Sequence, residues 1–287
     1  MKEVISASRR TDVPAYYLDR LTGFIEQGYA DVKNPYSGKI STVSLRPEHV
    51  HTIVLWSKNY GAFLKNRFFS NVPNVSNTFN KFNLYFLFTI NDMPYLETGI
   101  PPLADRLEQI DELAARYGPE RIAWRFDPVI FTKGGPVSDT ETFRRIGERI
   151  ADSGVKRTIF SFLNIYGKVK KRNSELNLNF NDPTLETKVE YASRLADISR
   201  ELGLTLESCC DDIGHIEGIA ASSCINAGIL SDLAGEPARR SIDPGQRKSC
   251  RCTVSRDIGS YSDMPCPGGC MYCYANPVID THGGISL

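Results

Sequence analysis

Cys266, Cys270 and Cys273 form a CxxxCxxC array, with Tyr272 directly before the third cysteine and Tyr274-Ala275-Asn276 directly after it. Three thiolates spaced four and three residues apart on one glycine-containing loop can ligate three irons of a cubic iron–sulfur cluster and leave the fourth iron without a protein ligand. An iron left open in this way is a place for chemistry. Two other readings compete. Cys252 or His282 could close a tetrahedral zinc site as fourth ligand, or the cluster could simply carry electrons, a task that normally takes four thiolates. The count of three thiols and the aromatic Tyr272 favour the open cluster.

The remaining cysteines point the same way. All eight lie between Cys209 and Cys273, and none falls in the first 208 residues. A disulfide scaffold would spread its cysteines through a short secreted chain, whereas clustering in a longer one suggests metal or redox chemistry. Cys209, Cys224, Cys250 and Cys252 make a four-thiolate set, with Cys210 left over. That set suits either an auxiliary iron–sulfur cluster or a structural zinc ion that pins an irregular tail, and spacing does not separate the two.

The string CxxxCxYCYA from Cys266 to Ala275 resembles the cluster motif of the radical S-adenosylmethionine superfamily, most closely its spore photoproduct lyase-like branch. The resemblance implies a [4Fe–4S] cluster on Cys266, Cys270 and Cys273. The open iron would be chelated by S-adenosylmethionine, electrons would come from a donor protein, and a 5′-deoxyadenosyl radical would abstract hydrogen from a small-molecule or nucleotide-like substrate. It also favours a second cluster on the other cysteines. In that superfamily the motif usually follows the first barrel strand, whereas here it stands near the end of the sequence. From Ser6-Ala-Ser-Arg-Arg-Thr-Asp12 to Asn276 the whole sequence resembles the domain of unknown function 1848 family, which supplies no reaction.

At 287 residues and 41% hydrophobic, the chain is long enough for one large core, and a single domain over 1–287 is expected. Its formal net charge of zero gives no bulk attraction to nucleic acid. With no apolar run of about 20 residues and no signal-like start, a cytoplasmic protein without membrane contact is expected.

The elements that must position these residues read as alternating strands and helices. Six apolar runs rich in β-branched and aromatic residues recur at Val4–Ser8, Thr52–Lys58, Leu84–Ile90, Ile122–Asp127, Thr158–Leu163 and Leu204–Cys209. Between them lie amphipathic stretches. One starts near Asp12 and Pro14, one runs from Pro102 to Gly118, one opens with Ser138 and Glu141 in capping-box spacing, and one follows Pro183 and ends at Gly203. Asp31–Leu45 reads as a hairpin turning at Asn34–Gly38. Parallel pairing through helical crossovers predicts an α/β fold, a six-unit partial (β/α) barrel resembling a TIM barrel, over 1–210. Residues 211–287 are expected to be an irregular Cys-rich extension packed on its mouth.

In such a fold chemistry gathers at the C-terminal strand ends. The candidates for holding substrate are therefore Lys58, Asn91, Arg125, Asp127 and Asn164. Period-2 alternation places Arg125 and Asp127 on one side and Trp124 and Phe126 on the other; mutual pairing of the two charges is the structural alternative. Asp12 reads as a helix cap. His49 and His51 fall at the wrong end for catalysis, and His215 reads as an ordinary loop histidine. Lys168, Lys170, Lys171 and Arg172, beside Tyr166, form a basic run that is either solvated or a nucleic-acid contact. The alternative function is thus a non-catalytic zinc- or iron–sulfur-binding protein touching nucleic acid.

Overall fold

Runs that are apolar on both faces belong inside a parallel sheet, covered by helices on one side and by other chain on the other. The computed structural model describes residues 1–65 and 78–279. Its strands are β1 (Glu3–Ala7), β2 (Tyr29–Lys33), β3 (Ile40–Ser44), β4 (Val50–Ser57), β5 (Asn83–Thr89), β6 (Ile122–Val129), β7 (Phe131–Thr132), β8 (Gly135–Pro136), β9 (Arg157–Phe162), β10 (Phe180–Asn181), β11 (Thr205–Ser208), β12 (Ile219–Ala221) and β13 (Arg256–Asp257). The helices are α1 (Val13–Tyr16), α2 (Leu18–Gln27), α3 (Gly61–Lys65), α4 (Leu103–Tyr117), α5 (Thr140–Asp152), α6 (Gly167–Glu175), α7 (Leu185–Glu201) and α8 (Ala227–Ala234).

Eight strands form one sheet in the order β12-β11-β9-β6-β5-β4-β1-β13, and every pairing in it is parallel. From β1 to β12 each sheet strand is laid beside the one before it, and β13 returns to the free edge of β1. All C-terminal strand ends therefore lie on one side. The sheet is not closed: β12 and β13 are its two edges.

One face carries Ile5, Leu55, Phe86, Phe88, Trp124, Phe126 and Phe160, packed against Leu21, Ile110, Phe143, Ile146 and Leu195 from the helices. Trp124 stacks on Phe143 of α5 with ring centroids 4.9 Å apart; losing either ring would cost roughly 3–5 kcal/mol. The other face carries Val54, Trp56, Tyr85, Leu87, Ala123 and Ile159, covered by Ala227 and Leu230 of α8 and by Cys209, Cys224 and Cys252. The cysteines are thus part of a second core.

All six expected runs are strands, and the Asn34–Gly38 hairpin joins β2 to β3 in antiparallel register. Three expectations need correction. The sheet has eight strands rather than six. Residues after 210 are not wholly irregular: they supply β12, α8 and β13. The sequence hides β13 because its two residues are both charged. Its place is fixed by the Asp257 carboxylate, which accepts from Ser6 Oγ at 2.7 Å, Ser8 Oγ at 2.7 Å and the Arg9 N–H at 2.8 Å. Finally, α5 is capped by Asp139, which accepts from the Thr142 N–H, and not by Ser138. Among the described residues no helix is long and apolar enough to cross a membrane.

Candidate functional site

The loop bearing Cys266, Cys270 and Cys273 lies against segments that leave the C-terminal ends of β1, β5 and β9. The Met271 N–H donates to the Leu96 carbonyl at 2.9 Å, and the Gly99 N–H to the Gly268 carbonyl at 3.2 Å. Tyr17 Oη donates to the Pro265 carbonyl at 2.5 Å, and Tyr274 Oη to the Arg9 carbonyl at 2.6 Å. Arg172 of α6 donates to the carbonyls of Met271 and Cys273, and Lys168 Nζ to Asn276 Oδ1 at 2.7 Å. Two cations of the basic run therefore brace the cysteine loop.

The approach of the loops demands glycine. A Cβ on Gly99 would stand 2.3 Å from the Pro267 carbonyl oxygen, and Gly269, at φ +63°, would meet Thr98 Oγ1 at 2.4 Å. Both distances are below any tolerable contact, so the CPGGC turn can lie on the 97–100 segment only with hydrogens at these positions.

Beside the loop sits a buried polar network. Glu97 is 2% exposed and takes Lys58 Nζ at 2.8 Å, Arg106 Nη1 at 3.6 Å and the Tyr272 hydroxyl. Burial alone would raise its pKa, but Lys58 and Arg106 outweigh that and hold the carboxyl below its usual range. Lys58 Nζ also lies 5.6 Å from the Tyr272 ring centroid. Asn91 donates to the Asp127 carbonyl at 2.9 Å and accepts the Asp127 N–H at 3.1 Å, while Asp127 binds Arg125 and Ser161. Lys58, Asn91, Arg125 and Asp127 are thus brought into one neighbourhood with Tyr272. Arg125 and Asp127 do pair with each other. Asn164 does not join them: it is exposed and its side chain donates to the Phe162 carbonyl at 3.3 Å.

Asp12 caps α1 by accepting the Ala15 N–H at 3.1 Å, and also takes Ser57 Oγ at 2.7 Å and the Lys58 N–H at 2.8 Å. Burial raises its pKa to about 6. His51 is a packing residue between Thr52 and the Glu236 carbonyl, and His49 bonds Ser44. His215 is exposed. His282 lies outside the described residues.

The three loop thiols fit a cluster by their surroundings. The backbone N–H groups of Asp12 and Gly268 lie near Cys266 Sγ and favour its thiolate, and the Ala275 N–H donates to Cys273 Sγ at 3.4 Å. Lys58 stands near Cys270 and Arg172 near Cys273. Such donors and cations stabilise thiolates. Without metal, burial pushes all three thiols up, Cys266 to about 11, so loading must release protons. Among the described residues no three Cys, His, Asp or Glu side chains already frame a single metal ion.

The second set is built differently. Cys209 Sγ lies 3.6 Å from Cys224 Sγ and 3.7 Å from Cys210 Sγ. Cys252 interacts electrostatically with Cys224 and Cys250, and Cys250 with Cys210. The five thiols gather in one cluster, with Cys210 at its edge beside Cys209. Separately, a cavity of about 490 Å³ between the β2–β3 hairpin and the tail is lined by Arg10, Lys33, Tyr36, Tyr261 and Asn276. It holds none of the cysteines, and the strand-end chemistry argues for the cysteine loop as the site.

Glu97, Arg106 and Trp56 were not legible as site residues. Glu97 and Arg106 carry no spacing signal. Trp56 could have been found by extending the period-2 reading of β4, which sets it on the face of Val54 and Lys58.

With this geometry in hand, the family follows from comparison: residues 4–275 match the domain of unknown function 1848 family, and the chain belongs to it. No curated protein matches the sequence. Among solved structures, one similar chain is described as a candidate alpha-L-fucosidase from Bacteroides thetaiotaomicron. It is 13% identical, with 84% of this chain and 90% of that chain covered and a TM-score of 0.31. Another is the pneumococcal virulence factor StrH, 12% identical, with 100% and 79% covered and a TM-score of 0.30. Likeness at that level carries no functional argument.

Proposed function

We propose that this protein is a radical S-adenosylmethionine-type enzyme whose C-terminal loop holds a [4Fe–4S] cluster on Cys266, Cys270 and Cys273, over the mouth of a partial (β/α) barrel. The observation that carries this reading is the fastening of a three-thiol loop across the C-terminal strand ends, beside a buried Lys58–Glu97–Arg106 network. Bound there, the cluster and S-adenosylmethionine would supply a 5′-deoxyadenosyl radical for hydrogen abstraction.

The chain's own residues have three tasks. Asp12, Gly268 and Ala275 direct backbone N–H groups at the sulfurs. Glu97 fixes Lys58 and Tyr272, so that the loop keeps its position against β4 and β5. Asn91, Arg125 and Asp127 present an amide and two charges at the strand ends, where a substrate would be held, and the tail closing over them excludes water from a reactive carbon radical. An electron donor protein would bring the reducing electron.

The alternative, a non-catalytic zinc- or iron–sulfur-binding protein in contact with nucleic acid, has less behind it, because Lys168 and Arg172 are committed to the cysteine loop. The test is anaerobic purification, assay of iron, sulfide and zinc, then reduction with S-adenosylmethionine and a search for 5′-deoxyadenosine. Iron together with the nucleoside supports the enzyme; iron with no nucleoside contradicts it.

A further inference from the structure

The five clustered thiols come from three separate stretches: Cys209 and Cys210 follow β11, Cys224 follows β12, and Cys250 and Cys252 precede β13. β12 and β13 are the two edges that backbone pairing leaves open. Short contacts already cross this seam. The Thr253 N–H and Oγ1 donate to the Ile225 carbonyl at 2.9 and 3.0 Å, and the Ile225 N–H donates to Cys252 Sγ at 3.5 Å. The sulfurs therefore sit where a cross-link would do what strand pairing does elsewhere in the sheet.

Their surroundings call for negative charge. The guanidinium carbons of Arg9 and Arg125 each lie 5.0 Å from the Trp56 ring centroid. Arg9 is within electrostatic reach of Cys252, and Arg125 of Cys224 and Cys209. Arg9 Nη2, Arg125 Nε and Trp56 Nε1 are all buried with no acceptor. Asp257 and Asp127 meet only part of this demand. Buried donors without acceptors are costly, the more so when cationic, and neutral thiols are poor acceptors.

We propose that Cys209, Cys224, Cys250 and Cys252 bind one zinc ion as a tetrathiolate that staples the open edges of the sheet, with Arg9 and Arg125 balancing its charge. Zinc bound to four sulfurs at about 2.3 Å sets neighbouring sulfurs about 3.8 Å apart. The 3.6 Å between Cys209 and Cys224 is already close to that spacing. A cubic iron–sulfur cluster takes each thiolate on a different corner and would have to force these sulfurs apart. Cys210, with φ +64° and adjacent to Cys209, is the fifth and unused sulfur. Because the ring does not yet frame an ion, uptake draws four sulfurs inward as their protons leave.

The proposal is independent of how the Cys266–Cys273 loop is read, and the test keeps the two apart. The Cys266→Ala/Cys270→Ala/Cys273→Ala variant, purified anaerobically from cells supplied with both metals, is expected to retain about one zinc per chain with no iron or sulfide. Adding Cys224→Ser should remove that zinc. Cobalt(II) added to the zinc-stripped triple variant should give the intense visible bands of a tetrahedral thiolate site, saturating at about one equivalent. Should the triple variant not fold, the zinc content of the intact protein decides, with Cys224→Ser as the control. Iron and sulfide on these cysteines, or no bound metal at all, overturns the proposal.

Discussion

The molecule gathers its cysteines in two ways. Cys266, Cys270 and Cys273 come from eight consecutive residues, and the loop is held by partners that are not cysteines: Leu96, Gly99, Tyr17, Arg9 and Arg172. Cys209, Cys210, Cys224, Cys250 and Cys252 come from distant segments and hold one another. In the first region the fold positions the sulfurs, as the proposed open cluster requires. In the second the thiols gather across the open edges of the sheet, where the proposed zinc would have no coordination site to spare for substrate. A buried carboxylate network around Glu97 attends the first region, while Arg9 and Arg125 reach from it toward the thiols of the second.

The sharpest way to break this contrast is to exchange the losses. Cys270→Ala is expected to abolish 5′-deoxyadenosine formation and strip the iron while leaving zinc in place; Cys224→Ser is expected to do the reverse for the metals. Assays of iron and zinc on both variants check it, and loss of both metals from either one would merge the two regions. Next in size, Glu97→Gln leaves Lys58 and Arg106 buried beside a neutral group. It should cost roughly 3–5 kcal/mol in urea unfolding, against about 1–3 kcal/mol for Tyr272→Phe, which removes one hydrogen bond. Gly99→Ala should push the Pro267 carbonyl away at a cost of about 1–3 kcal/mol, and lower iron retention with zinc unchanged.

The most gradual effect is a pH dependence. Burial pushes Asp211 up to about 7, even though Ser208 Oγ at 3.0 Å and the Phe162 N–H at 3.2 Å both donate to it. The folded chain then keeps a proton that the unfolded chain releases near pH 4. Stability from this group is complete at low pH and is lost as pH rises toward about 7, with a slope of at most about 1.4 kcal/mol per pH unit. Asp211→Asn should flatten that slope in urea titrations at several pH values; an unchanged slope would remove Asp211 as its source.

Much of this could be read in advance where burial writes itself into composition. β4, β5 and β9 are rich in β-branched and aromatic residues and buried along nearly their whole length, and α4 carries its stripe between Pro102 and Gly118, so local pattern and final place agree. The CxxxCxxC array stood out in the sequence by its spacing, and the fold lays its loop against the C-terminal strand ends. β12 and β13 were not, since a strand of three mostly exposed residues or of two charged ones is made by its neighbours. Glu97 was hidden for a related reason: a lone acid in a loop acquires meaning only when Lys58, Arg106 and Tyr272 arrive from three other segments. Arg125 and Asp127 stood between, with the shared face visible in their alternation and the buried thiols beside them visible only in three dimensions.

The most direct measurement is the electron paramagnetic resonance spectrum of the reduced, iron-loaded protein before and after S-adenosylmethionine is added. An iron without a protein ligand on the Cys266–Cys273 loop predicts a changed spectrum on addition, and no signal from that loop in Cys270→Ala. A spectrum that S-adenosylmethionine leaves untouched would mean that a fourth side chain seals the cluster, and the account of this loop as a reactive site would fall.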